Sequence, residues 1–251
     1  MTTWVDSHCH IHLADAPAAD QIERAVAAGV AWMVCPGTDA AGSEAALALA
    51  AAHPEVEAAV GLHPHDAQRW PEEADRIAEL ARRACGIGEC GLDFYRNLSP
   101  QEAQIDAFRA QVALAEDLDL PLVVHCRDAF RELYDEIEAA AAGPRTVLHC
   151  WTGGPRWTKR FRDLGVVFSF AGPITFETGD TVRLAAAESP PERTMVETDT
   201  PYLTPPPHRR EQNEPANVVR VGHALAEVWG MEPDEVARLT SATAGRVFGR
   251  G

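Results

Sequence analysis

Eight short segments rich in apolar and β-branched residues recur along the chain, and an Ala-rich stretch with helical periodicity follows most of them. The segments cover residues 4–8, 31–35, 57–62, 86–90, 122–125, 146–149, 166–170 and 194–197. Most of them do not alternate between apolar and polar positions, which predicts strands covered on both faces, as in a parallel sheet. Eight strand–helix units within 251 residues favour an α/β fold, a closed (β/α)8 TIM barrel that forms one domain over residues 1–251. A distorted or seven-stranded barrel is the alternative, because the last two strands have the least distinct boundaries.

The composition excludes several other classes of protein. With 46% hydrophobic and 24% charged residues, the chain is typical of globular proteins. No apolar run approaches the roughly 20 residues that span a bilayer, and the N-terminus lacks the basic and apolar parts of a secretion signal. The six cysteines show no paired spacing. We therefore expect reduced thiols, a cytoplasmic location and no membrane association.

Polar residues collect at the C-terminal ends of the predicted strands, where barrels of this kind carry their functional groups. Six of them bear imidazole or carboxylate groups and come from five different strands: His8, His10, Glu89, His125, His149 and Asp199. This donor set, which contains no thiolate, suits divalent ions such as Zn²⁺ or Mn²⁺. Because side chains alternate along a strand, we expect the neighbouring cysteines Cys90, Cys126 and Cys150 to face away from the pocket. The pattern predicts a metal site on the barrel axis.

Six donors exceed the number that one four-coordinate catalytic ion needs, since such an ion keeps a position open for water. Two divalent ions about 3.5–4 Å apart need a bridging anion. A carboxylated lysine could serve as this bridge, but the single lysine, Lys159, lies beyond the sixth strand and does not easily reach the axis. Glu89 is therefore the predicted bridge. We expect a metal-bound hydroxide as nucleophile and Asp199 as the group that accepts the proton of its parent water. The alternative for Asp199 is coordination alone.

Three more residues are expected to contact a substrate. His63 is placed to hydrogen-bond a phosphate, although a structural role fits equally well. The guanidinium of Arg127 suits bidentate phosphate binding, unless it pairs with a neighbouring carboxylate. The ring of Tyr202 offers a surface on which a base could stack. Asp6 and Glu197 each precede a predicted ligand by two residues, and each either orients a metal-binding imidazole or pairs elsewhere in the barrel.

Seven segments in one collinear order resemble the TatD family of metal-dependent hydrolases, also called TatD-type deoxyribonucleases. The segments cover residues 6–10, 61–65, 88–95, 125–127, 149–153, 197–203 and 213–215. The resemblance implies a (β/α)8 barrel with two divalent ions, Zn²⁺, Mn²⁺ or Mg²⁺. It assigns one ion to His8, His10, Glu89 and Asp199 and the second to Glu89, His125 and His149. It also implies phosphodiester hydrolysis, commonly of DNA and often from the 3′ end.

The formal net charge of −16 limits the kind of nucleic acid that the chain can bind. An acidic surface repels phosphate, so we expect few backbone contacts and short or single-stranded DNA ends as substrate. No obligate protein partner is inferred. Two other functions stay open from the sequence: a binuclear amidohydrolase or lactonase acting on a small substrate, and a non-catalytic metal-loaded binding module.

Overall fold

A computed structural model describes residues 3–250, which contain eight strands in the order β1 to β8. The strands are β1 (Trp4–Asp6), β2 (Val30–Pro36), β3 (Val56–Val60), β4 (Gly86–Asp93), β5 (Leu122–Arg127), β6 (Thr146–Leu148), β7 (Val167–Phe170) and β8 (Thr194–Val196). Each strand pairs in parallel with the next one. Across the remaining seam, the N–H of Ser7 donates to the carbonyl of Val196 at 3.0 Å. The predicted eight-stranded TIM barrel is confirmed, and the seven-stranded alternative is wrong.

The described residues also contain nine α-helices, which pack around the barrel. They are α1 (Ala18–Ala27), α2 (Ala40–Ala52), α3 (Trp70–Ala81), α4 (Gln101–Asp117), α5 (Phe130–Ala139), α6 (Gly154–Asp163), α7 (Asp180–Glu188), α8 (Val218–Trp229) and α9 (Pro233–Phe248). Helices α1 to α7 each follow the strand of the same number, and α8 and α9 both follow β8. Within residues 3–250, no helix is long and apolar enough to cross a membrane. The predicted single domain over 1–251 includes residues 1, 2 and 251, which lie outside the described part.

Every strand begins and ends within three residues of its predicted bounds, and the local backbone explains the differences in β1 and β4. Strand β1 ends at Asp6 rather than at residue 8, because the chain bends at Ser7. Strand β4 runs on to Asp93 through an irregularity between Ile87 and Cys90. Gly88 lies in this irregular stretch with a φ of +145°, and a Cβ there would lie 2.3 Å from a carbonyl oxygen of β5. The stretch therefore requires glycine.

The barrel interior is apolar at its lower, N-terminal end and polar at its upper, C-terminal end. The lower layer consists of Val5, Trp32, Val34, Ala59, Val123, Val147, Val167 and Met195, with Ala244 and Phe248 of α9 packed against them. Alternation along β5 carries the inward face from Val123 to His125. The same step takes the chain from Val147 in β6 to His149 just after it. The polar residues of the next subsection form this upper layer.

Candidate metal centre

The six predicted metal ligands meet at the upper end of the barrel, around the carboxylate of Glu89. Five imidazole nitrogens lie within 3.5 Å of this carboxylate: His8 Nε2 at 3.5 Å, His10 Nε2 at 3.2 Å, His63 Nε2 at 3.2 Å, His125 Nδ1 at 3.2 Å and His149 Nε2 at 2.9 Å. Glu89 itself is only 3% exposed. A buried carboxylate inside a ring of imidazoles is a strong anionic centre, with several nitrogen lone pairs available at one point.

Asp199 completes the cluster from the end of β8. Its Oδ1 lies 3.8 Å from the Nε2 atoms of both His8 and His10, which are themselves 3.0 Å apart. The backbone N–H of Asp199 donates to the carbonyl of His8 at 2.9 Å, and that of His10 donates to the carbonyl of Thr200 at 2.7 Å. These two bonds hold the segments after β1 and β8 side by side. His8, His10 and Asp199 are therefore held together by the backbone of the barrel rim.

The spacing of these donors fits a divalent ion. With metal–ligand bonds of about 2.0–2.2 Å, neighbouring ligands of a tetrahedral site lie roughly 3.3–3.6 Å apart. The imidazole nitrogens of His8 and His10 lie 3.0 Å from each other and 3.2 to 3.8 Å from the carboxylate oxygens of Glu89 and Asp199. The donor atoms are imidazole nitrogens and carboxylate oxygens, which is a usual set for Zn²⁺ or Mn²⁺. The residues present are consistent with a metal centre.

Donor atoms within 4.8 Å of one another form three overlapping groups. These are His8, Glu89 and His149; His8, His10 and Asp199; and His63, Glu89 and His125. The third group includes His63, which the sequence reasoning placed outside the ligand set. The imidazole of His149 stacks on that of His8 with 3.8 Å between ring centroids. The division of the ligands between two ions thus remains a prediction.

The charges in the cluster are set by burial and by mutual contact. Burial opposes ionisation of Glu89, but His149 and His63 and hydrogen bonds from His10 hold its pKa well below the usual range. Burial lowers the pKa of His8 to about 4, with a further contribution from His149. Burial also lowers the pKa of His63 to about 4. At neutral pH, His8 and His63 are therefore neutral imidazoles, which is the form that binds metals.

Asp199 has a different electrostatic environment from Glu89. Burial raises its pKa to about 7, and the negative charges of Glu89 and Glu197 act in the same direction, while His149 and His10 oppose them. A cation beside Asp199 would favour its carboxylate form. Its side chain is 15% exposed and lines the cavity above the cluster. Asp199 is therefore accessible to a molecule in the cavity.

Of the two carboxylates that precede predicted ligands, only Glu197 contacts an imidazole. Its Oε1 lies 3.2 Å from Nδ1 of His149 and accepts from the N–H of Cys150 at 2.8 Å. Such a contact fixes the orientation of the ring. Asp6 instead accepts from the backbone N–H and the hydroxyl of Thr198, at 2.9 and 2.6 Å. The contact expected of an orienting carboxylate is therefore present at Glu197, whereas Asp6 pairs elsewhere and links the ends of β1 and β8.

A cavity of about 760 Å³ opens above the cluster, and the three predicted substrate contacts His63, Arg127 and Tyr202 all line it. Tyr202 is 55% exposed at its rim. The guanidinium of Arg127 lies 3.9 Å above the ring of Tyr95, and within the described residues it has no carboxylate partner. Arg127 therefore presents an uncompensated positive charge beside an exposed aromatic ring.

The sequence reasoning missed Arg96, which lines the same cavity. The N–H of Arg96 donates to Oδ1 of Asp93 at 2.8 Å, so the turn after β4 directs this segment toward the cavity. Oδ2 of the same aspartate lies 2.8 Å from Nε2 of His65 and 3.3 Å from Nε2 of His125. The sequence does carry one indication that Arg96 lies at the cavity, since it follows an aspartate at a strand end by three residues.

The cysteine prediction holds for Cys90 and is wrong for Cys150. Cys90 is fully buried, and its thiol lies 3.6 Å from the carbonyl of Val123. Cys126 is 8% exposed and packs in the outer core, although it also reaches the wall of the cavity. Cys150 has a φ of +43°, which ends the strand-like alternation, and it lines the cavity. Alternation predicts side-chain direction only while the backbone stays extended.

Two buried amides hold the loops that carry these groups. Asn213 Nδ2 donates to the carbonyls of Thr198 and Tyr202, at 2.9 and 2.7 Å. Gln104, on α4, accepts from the N–H of Asp93 at 2.8 Å. Both side chains are nearly inaccessible to solvent. They tie the loops after β4 and β8 to the barrel, which keeps the cavity walls in place.

The barrel and this donor cluster define a metal-dependent hydrolase, and comparison with known proteins identifies its family. The family described as TatD related DNase matches residues 5–249. The uncharacterized metal-dependent hydrolase YabD of Bacillus subtilis is 34% identical over 97% of this chain and 98% of its own. The 3′-5′ ssDNA/RNA exonuclease TatD of Salmonella typhimurium is 36% identical over 91% of this chain and 92% of its own. The chain belongs to the TatD family.

The fold agrees with that assignment. The crystal structure of YJJV, a TatD homologue from Escherichia coli, superposes with a TM-score of 0.89 and 26% identity, covering 98% of both chains. A TatD-family hydrolase from Entamoeba histolytica superposes with a TM-score of 0.86 at 16% identity, over 100% of this chain and 99% of that one. The second likeness supports the fold alone.

Proposed function

We propose that the chain is a phosphodiesterase that removes nucleotides from the 3′ ends of single-stranded or frayed DNA. One observation carries the proposal: the buried carboxylate of Glu89 lies among five imidazoles at the floor of a cavity whose wall bears Arg96 and Arg127. A metal centre beneath two uncompensated guanidiniums suits an anionic substrate better than a neutral one. The relatives named as 3′-5′ ssDNA/RNA exonucleases support the same substrate class.

The proposed cofactor is a pair of divalent ions, Zn²⁺, Mn²⁺ or Mg²⁺. His8, His10, Glu89 and Asp199 would hold one ion, and Glu89, His125 and His149 would hold the other. When bound, such ions lower the pKa of a coordinated water and withdraw charge from phosphate oxygens. Glu89 would contribute to both ions, since its Oε2 lies 3.2 Å from Nε2 of His10 and its Oε1 lies 2.9 Å from Nε2 of His149.

The chain's own residues would position the phosphate and take the proton. Asp199 accepts the proton of the attacking water, because its carboxylate lines the cavity and is not enclosed by imidazoles as Glu89 is. Arg127 and Arg96 bind non-bridging phosphate oxygens, and the neutral imidazole of His63 donates a hydrogen bond beside them or joins the metal ligands. Tyr202, exposed at the rim, provides a stacking surface for the terminal base.

The acidic surface restricts the substrate further. With a formal net charge of −16, the protein repels the backbone of a long duplex, while the cavity admits one strand end. We therefore propose short or single-stranded DNA as the partner molecule. The cytoplasmic location and the lack of an obligate protein partner stay predictions.

A time course on single-stranded DNA tests the proposal. Oligonucleotides labelled at the 5′ or the 3′ end are incubated with the protein and Mg²⁺, Mn²⁺ or Zn²⁺. Removal from the 3′ end predicts a ladder of shortening products from the 5′-labelled strand and early release of labelled mononucleotide from the 3′-labelled strand. The variant Arg127→Gln should shorten the labelled strand more slowly, because it lacks a proposed phosphate contact. Arg131→Gln serves as its matched control, because Arg131 is an exposed residue on α5 outside the cavity.

The amidohydrolase or lactonase alternative gives a different result in a parallel assay. The proposal predicts hydrolysis of bis(p-nitrophenyl) phosphate and no turnover of a panel of lactones under the same metal conditions. Turnover of lactones without cleavage of either phosphodiester would establish the alternative instead. No turnover of any substrate with any of the three metals would favour a non-catalytic role.

A further inference from the structure

A second cavity, of about 610 Å³, lies at the lower end of the barrel, opposite the metal centre. Three arginines from separate elements line it. Arg145 immediately precedes β6, Arg193 immediately precedes β8, and Arg246 lies in the last turn of α9. The cavity is therefore built from the starts of several strands and the helix that closes the lower layer, and it shares no residue with the metal centre.

The positive charge of this cavity is largely uncompensated. Asp119 lies 3.6 Å from Arg145, but its side chain is 98% exposed, so water screens the pair. Across residues 3–250, Arg193 and Arg246 have no carboxylate oxygen within 4.0 Å. The cavity therefore keeps two guanidiniums without a carboxylate partner among the described residues, although the chain carries 38 acidic residues against 22 basic ones. An anion bound in the cavity would supply the negative charge that both guanidiniums lack.

Backbone carbonyls, which are neutral, hold the three guanidiniums in place. Nη1 of Arg145 donates to the carbonyl of Leu120 at 3.2 Å, Nη1 of Arg193 donates to that of Arg162 at 3.0 Å, and Nη2 of Arg246 donates to that of Glu192. A guanidinium has five N–H groups, so these bonds leave several donors on each side chain. The arginines are thus positioned without loss of charge or of donor capacity.

Apart from the three arginines and Asp119, the residues that line the cavity are apolar. Pro144, Val147, Val167 and Val247 contribute to it, and two of these, Val147 and Val167, belong to the lower layer of the barrel. An apolar wall beside three cations suits a ligand with one anionic end and one flat or apolar end. The volume falls within the range of about 300–1,000 Å³ that is usual for small-molecule sites.

We propose that this cavity binds an organic phosphate monoester of nucleotide size, with the phosphate between Arg193 and Arg246 and the remainder against the valines. Guanidiniums bind phosphate oxygens bidentately, and a phosphate dianion matches two of them in charge. The proposal does not rest on the nuclease function, since the two sites lie at opposite ends of the barrel. A protein without nuclease activity would still show this binding.

Calorimetric titration of the full-length protein with 2′-deoxyadenosine 5′-monophosphate tests the proposal. The titration is repeated after chelation and dialysis, so that binding at the metal centre is removed. We expect one nucleotide to bind in the lower cavity of both preparations, while any binding at the metal centre disappears on chelation. In the chelated preparation, the double variant Arg193→Gln/Arg246→Gln should bind at least about tenfold more weakly than the unmodified protein. The double variant Arg131→Gln/Arg238→Gln removes the same charge from exposed positions outside the cavity and should bind normally.

Three results would overturn the proposal. In the first, the chelated protein binds no nucleotide up to about 10 mM. In the second, the Arg131/Arg238 control loses as much affinity as the Arg193/Arg246 variant. In the third, deoxyadenosine, which lacks the phosphate, binds as tightly as the nucleotide. Inorganic phosphate should bind more weakly than the nucleotide, and equal binding would refute the part assigned to the apolar wall. Should the glutamine variant unfold, Arg193→Lys/Arg246→Lys retains the charges but not the bidentate geometry. This lysine variant should bind the nucleotide more weakly than the unmodified protein and the Arg131/Arg238 control, and equal affinity would count against the proposal.

Discussion

The upper and lower layers of the barrel interior use the same strands for different purposes. Two residues after Val123 of β5 comes His125, and two residues after Val147 of β6 comes His149. The lower layer is apolar and closed by α9, whereas the upper layer contains five imidazoles around one buried carboxylate. One step of alternation therefore separates residues that stabilise the barrel from residues that make its chemistry.

Replacing Glu89 should have the largest effect on turnover. In Glu89→Gln the imidazoles lose the anion that they surround, and the proposed metal bridge is lost with it. Loss of a residue that only supports a ligand usually costs 10–100-fold, so we expect a decrease in kcat of more than about 100-fold. The measurement is the initial rate on 5′-labelled single-stranded DNA, with far-UV circular dichroism to verify folding. A variant that is folded and retains more than a tenth of the activity would contradict the role of Glu89.

A smaller effect is expected from Glu197, which contacts the cluster only through His149. Glu197→Gln leaves the ligand in place but weakens its orientation, so metal affinity or activity should fall by about 10–100-fold. Metal affinity is measured by titration with a chromophoric chelator, which a loss of stability alone would not change. Asp6→Asn is the matched control, because Asp6 contacts Thr198 and no imidazole. Equal loss of metal affinity in Glu197→Gln and Asp6→Asn would contradict a specific role of the contact between Glu197 and His149.

The lower layer should show the reverse behaviour. Met195 is fully buried in it, and Met195→Ala should lower the free energy of unfolding by about 2–5 kcal/mol through lost contacts and a cavity. Turnover measured well below the unfolding temperature should stay close to that of the unmodified protein. Urea unfolding gives the free energy, and Leu184→Ala, at an exposed position, should change it by less than about 0.5 kcal/mol. A large loss of turnover with unchanged stability would show that the two layers are not separate in function.

The smallest expected effect is on the salt dependence of kcat/KM. If Arg96 and Arg127 make the phosphate contacts, log(kcat/KM) for single-stranded DNA should fall with log[salt] at a slope of about −1.4, or −0.7 for each contact. Arg127→Gln should halve the slope, and Arg131→Gln should leave it unchanged. A slope several times steeper would indicate an extended basic track that the acidic surface does not provide.

Strand count and the convergence of the predicted ligands could be read from the sequence, because both follow from periodicity and from the rule that functional groups lie at strand ends. The contacts of His63, Asp6 and Cys150 could not, since they depend on where the backbone stops being extended. At both the bend of Ser7 and the positive φ of Cys150, the backbone N–H donates to a distant segment, to the carbonyl of Val196 and to Oε1 of Glu197 respectively. The sequence also does not predict that Arg193 lacks a carboxylate partner, because this depends on which residues lie near it in the folded protein.

We propose above all that the upper layer holds a pair of divalent ions to which Glu89 contributes as the shared ligand. Equilibrium dialysis against Mn²⁺ or Zn²⁺, followed by elemental analysis, measures this directly for the unmodified protein and for Glu89→Gln. We expect two ions per chain in the unmodified protein and a clear loss of bound metal in Glu89→Gln. Failure of the unmodified protein to bind either ion, or two ions retained in Glu89→Gln, would contradict it.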